Sequence, residues 1–163
     1  MVSLSYTDLE MHQYRMILYA VKKSDLFSLI TYQKKPYSKI PPNCEHDDIL
    51  EIIKDSLVTQ LVGIRKWSGS GENNNHVVMN VYKCDRATRM FLLGKTDLLK
   101  YSNTFPEDLC FYRGRKAWFS ITTHEEYAAI YSETKEDLSF LNSCGISWSF
   151  QGDIRPYLLP ELL

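Results

Sequence analysis

The chain has 163 residues, of which 44% are apolar and 24% charged, and its formal net charge is −1. A chain of this length can bury about 70% of the surface its unfolded form exposes, so one compact domain over residues 1–163 is expected, without help from disulfides or metals. The near-neutral balance lacks the basic excess of a dedicated nucleic-acid binder, so nucleic acid is not an expected partner.

No run approaches the ~18 consecutive apolar residues of a membrane span, so no membrane partner is expected. The opening residues, MVSLSYTDLEMHQYRM, lack a basic stretch followed by an apolar one. No secretory signal is read there, and a cytoplasmic location with reduced thiols follows as the expectation. Cys44, Cys84, Cys110 and Cys144 are widely spaced without a C-x-x-C pair, which argues against a zinc ribbon. Cys110 and Cys144 read as small buried hydrophobes.

In chain order, Thr7-x-x-Glu10 resembles a capping box, and Leu9, Met16, Ile17, Ala20 and Val21 recur at helical spacing. A strand over 14–21 is the alternative reading of that run. Ser24-Asp25 would cap a second helix carrying Leu26, Phe27, Leu29 and Ile30. Pro36 to Cys44 reads as a loop. Asp47-Asp48 would open a third helix, with Ile49, Ile53, Leu57 and Leu61 at i, i+4 intervals and Gly63 as its stop. The amino-terminal third is thus expected to be largely helical.

Strands are expected next at 64–67, 77–82 and 88–93, with a polar glycine- and asparagine-rich loop over 68–75. Thr96-Asp97 would cap a short helix bearing Leu98, Leu99 and Tyr101. Strands at 109–113 and 116–121 flank a turn at Gly114, and a third at 127–131 follows. A helix over 134–144 is closed by Gly145, and a strand over 146–150 comes last. The tail GDIRPYLLPELL, broken by Pro156 and Pro160, reads as an extended arm that packs on the domain or docks on a partner. Short connections favour antiparallel pairing, so the expected fold is α+β, a mostly antiparallel sheet packed against helices.

His124-Glu125-Glu126 is the sharpest catalytic candidate. An imidazole titrates near neutrality, and in extended backbone His124 and Glu126 point to one side, so the pair could act as general base and orienting carboxylate. The segment is not H-E-x-x-H, because Ala128 stands where the second histidine would be. Cys44-Glu45-His46-Asp47-Asp48 gathers metal-ligand types, but helix-dipole complementation accounts for its acids, and no metal is assigned. Cys44, near His46, is the one cysteine with a local case for nucleophilic chemistry. No Walker loop, G-x-G-x-x-G or G-x-S-x-G occurs, and no cofactor is expected. Arg113-Gly114-Arg115-Lys116-Ala117-Trp118-Phe119 fails the aromatic RNA-binding strand pattern and reads as a hairpin with a basic turn.

Strict alternation places Tyr112, Trp118, Tyr127 and Tyr131 on one side of three strands, opposite Phe111, Phe119 and Ile121. Left open, that side would be a rigid Tyr/Trp platform, with Arg113 beside it, of the kind that anchors protein interfaces. The leading expectation is therefore a non-catalytic domain, of inhibitor, immunity or regulatory type, that binds another protein. The alternative is a small hydrolase or transferase using His124 and Glu126. A nucleotide-binding module using Asn73–75 with Arg113 and Arg115 is a third.

Overall fold

The computed structural model describes residues 1–32, 50–64, 67, 77–100 and 107–161. Among the described residues, eight strands form one antiparallel sheet: β1 (Val2–Leu4), β2 (Leu26–Tyr32), β3 (Leu57–Val62), β4 (Val77–Lys83), β5 (Glu107–Arg113), β6 (Lys116–Thr122), β7 (Tyr127–Ile130) and β8 (Trp148–Phe150). Their spatial order is β3-β4-β2-β5-β6-β7-β1-β8. Helices α1 (Tyr6–Met11), α2 (Gln13–Lys23), α3 (Arg86–Leu93) and α4 (Lys135–Cys144) accompany them. The class is α+β, as expected.

The helices share one side of the sheet. Leu9, Met16, Ile17, Ala20, Phe91, Leu92 and Leu141 pack in one core with Phe27, Leu29, Tyr82, Phe111, Phe119, Ile121 and Ile130 from the strands. The other side carries a separate apolar cluster, in which Ile30, Met79, Val81, Cys110, Tyr112 and Ala117 meet Trp67 and Leu159. The sheet centre is therefore covered on both faces, which explains its near-continuous apolar strands.

The amino-terminal third is not the helical block that its sequence suggests. It runs strand, two helices, strand. Val2–Leu4 is a strand between β7 and β8. Ser5, rather than Thr7, caps α1, its hydroxyl accepting from the Asp8 amide at 3.4 Å. The helix expected from Ser24-Asp25 is β2, paired with β4 and β5. Apolar residues on both of its faces mimic a buried helix, because each face meets a core.

The third expected helix is overturned over its carboxy-terminal half, where Leu57–Val62 is a strand paired with β4. Residues four apart lie on one side of a helix and on one face of a strand, so Leu57 and Leu61 fit either. Its start at Asp47-Asp48 lies outside the described residues, as do the loop read at 36–44 and the one read at 68–75. Neither Ile64 nor Trp67 belongs to a strand, and residues 98 and 99 form a turn rather than a helix.

The strand expected at 88–93 is α3. Its start is a reciprocal cap: the Thr88 amide donates to the Asp85 carboxylate at 3.0 Å, and the Asp85 amide donates to the Thr88 hydroxyl at 3.0 Å. The expectations at 77–82, 109–113, 116–121 and 127–131 hold within a residue or two, as does the helix closed by Gly145. The tail lies along the domain itself: the Ala117 amide donates to the Tyr157 carbonyl and the Leu159 amide to the Arg115 carbonyl, each at 2.9 Å.

Candidate functional site

The aromatic residues expected to share an open face are not open, and they do not share a face. Tyr112, Trp118 and Tyr131 are buried, and Tyr127 is half-buried. The pairing of β5 with β6 slips between Phe111 and Tyr112, with Phe111 opposite Phe119 but Tyr112 opposite Ala117. Trp118 is the extra residue of this β-bulge. The bulge turns its indole to the helix side, where it meets Tyr19 edge-on at 6.1 Å and donates to the Ser24 hydroxyl at 2.7 Å. Tyr112 stays on the other side and shares a buried hydrogen bond with Ser28 at 2.9 Å. Tyr131 packs with Met1 and Ala129, and Tyr127 lies against that small cluster.

Arg113 is likewise engaged inside the chain. It stacks on Trp118 and holds the buried Asp137 carboxylate by two hydrogen bonds, at 2.7 and 3.1 Å. Tyr19 and Thr134 donate to the same carboxylate. Burial pushes the Asp137 carboxyl upward, but these hydrogen bonds outweigh it and hold the group below the usual carboxylate range.

His124 and Glu126 are both exposed, in and just after a single 3-10 turn between β6 and β7. That turn replaces the extended backbone on which their side-by-side placement depended. Glu126 adopts left-handed backbone at φ 50°. The carboxylates near the imidazole are different ones: Asp108 Oδ1 lies 3.9 Å from Nδ1, and Glu125 Oε1 lies 3.8 Å from Nε2. Asp108 is buried, has left-handed backbone at φ 52°, and accepts from the Trp67 indole at 2.6 Å. Among the described residues, no group of three metal-ligating side chains is arranged to hold an ion. Cys44 and His46 lie outside the described residues.

A surface that the sequence reading missed lies between α2 and α3. The two helices bound an open groove of about 760 Å³. Tyr14 and Val21 line it from α2, and Met90 and Leu93 from α3, with Tyr14 and Met90 59% and 68% exposed. Lys22, Arg86 and Arg89 line it as well. Among the described residues these cations form no ion pair, whereas Lys23, Arg113 and Arg115 are matched with Glu136, Asp137 and Glu161. Among the described residues, the one acid lining the groove is Asp85, whose carboxylate accepts from the Thr88 amide in the α3 cap.

Cys84 also lines the groove, but burial, reinforced by Asp25 and Asp85, pushes its thiol up to about 12. It is therefore protonated at neutral pH and is not poised as a nucleophile. The sequence carries a trace of this surface in R-A-T-R-M, whose two arginines fall at i, i+3 on one side of a helix, whereas the strand read at 88–93 includes Arg89 alone. No protein-family model, no curated protein and no solved structure matches the chain.

Proposed function

We propose that the protein is a non-catalytic binding domain that docks another protein, and that the α2–α3 groove, rather than the aromatic strands, is its contact surface. One observation carries this reading. The groove joins exposed apolar side chains, Tyr14 and Met90, to cations that form no ion pair with a carboxylate among the described residues. Exposed apolar side chains set beside unpaired charges are a combination that protein interfaces use. Inhibitors, immunity proteins and regulatory domains all work by docking of this kind.

The test is a photo-crosslinking residue at position 90 in cells that make the protein, with position 150 as the control. Phe150 is 61% exposed, so both positions sample solvent equally. The reading expects one defined protein adduct from position 90, lost in Arg86→Glu/Arg89→Glu, and none from position 150. Adducts from position 150 alone would remove the groove as the contact surface.

A second reading, a small hydrolase or transferase, draws support from the buried Asp108 carboxylate facing His124 Nδ1. An acid behind a solvent-facing imidazole can orient it as a general base. In that reading Asp108 takes the role first given to Glu126. A screen of ester and phosphoester substrates tests it: turnover abolished by His124→Gln and kept in Glu126→Gln supports it, and turnover unchanged in His124→Gln ends it.

A further inference from the structure

We infer that the element received by the α2–α3 groove is an acidic amphipathic helix of the partner. This deepens the protein-binding reading and rests on it. The shape of the groove is the first argument. Its walls are helices of 11 and 8 residues, or about 16 and 12 Å, which matches two to three turns of a third helix laid along them. Tyr14 and Val21 on one wall and Met90 and Leu93 on the other offer contacts along the groove to apolar anchors spaced i, i+3/i+4, i+7.

The charges are the second argument, and they are independent of the first. Arg86 and Arg89 stand one turn apart in the first half of α3. Like charges at that spacing repel, and cations near a helix amino terminus oppose its dipole. Neither placement helps α3 fold. Both project positive potential over the groove, and Lys22 adds to it from the opposite wall. An acidic flank on the docked helix would offset that potential, whereas a basic or neutral helix would leave it unbalanced.

Two designed helical peptides of about 14 residues test the inference. Both carry leucines at i, i+4 and i+7; one is flanked by glutamates and the other by lysines. Inorganic phosphate and a short DNA duplex form further arms. Fluorescence anisotropy gives affinity, and amide shifts give location.

The glutamate peptide is expected to bind about tenfold more tightly than the lysine peptide, to weaken with added salt, and to shift amides of residues 14–22 and 86–93. In Arg86→Glu/Arg89→Glu the preference should reverse, and that reversal shows the variant is folded. Equal affinity for the two peptides, no binding of either, or shifts elsewhere would overturn the inference. So would a duplex or phosphate that displaces the glutamate peptide. A position-90 adduct to a basic or non-helical segment would sink this inference and leave the protein-binding reading standing. Loss of that adduct altogether would sink the reading itself.

Discussion

Arg113 lies over the indole of Trp118, with its guanidinium carbon 3.9 Å from the ring centroid. The same guanidinium grips Asp137, at the start of α4, through both carboxylate oxygens. One side chain thus ties the β5–β6 hairpin to a helix, and two residues that the sequence offers to a partner serve each other instead. Removing one member of a buried pair leaves the other charge stranded. Arg113→Ala should therefore cost about 3 kcal/mol in urea unfolding. Arg113→Lys should recover only part of this, because a point charge cannot reproduce the two-pronged contact.

Asp137 sets an acid limit on stability. Its carboxyl is held below its unfolded value, so the folded state favours the ionised form. The contribution is fully present above the unfolded carboxylate range, near pH 4, and is lost as pH falls through the lower folded value. Asp137→Asn should lower stability at neutral pH and flatten the acid limb of the stability curve. An acid limb of unchanged steepness in that variant would assign it to other carboxylates.

Gly145 closes α4 at φ 75°, with its amide donating to the Asn142 carbonyl and the Ile146 amide donating to the Leu141 carbonyl. A Cβ placed there would meet nothing within 4 Å. The cost of Gly145→Ala is then conformational alone, about 1 kcal/mol, with no change in binding. Thermal unfolding measures it.

Cys84 offers a chemical reading of the groove. Its thiol is pushed up to about 12 by burial and by Asp25 and Asp85. Alkylation by iodoacetamide, followed peptide by peptide, should be slow near neutral pH and still climbing at about pH 11. A reaction that levels off by about pH 10 would mean an ordinary, accessible thiol.

Legibility of the sequence divided along physical lines. The hairpin around Gly114, β7 and α4 were readable because period, turn residue and cap agree there. Leu26–Tyr32 was not, because a strand covered on both faces loses the alternation that marks strands. Arg86–Leu93 hid behind β-prone Thr88 and Phe91, although Asp85-x-x-Thr88 is itself a cap signature. Trp118 was assigned to the wrong face by a single bulge, which no periodicity reveals in advance. The groove was missed for the same reason as α3: its two walls meet only once both helices are placed.

Hydrogen exchange of the whole chain, with and without the glutamate-flanked peptide, tests the central claim most directly. The account predicts slowed exchange in Gln13–Lys23 and Arg86–Leu93, with little change at the turn holding His124 or along Leu57–Val62. Protection confined to residues 123–127 or to that edge strand, with both helices unaffected, would contradict it.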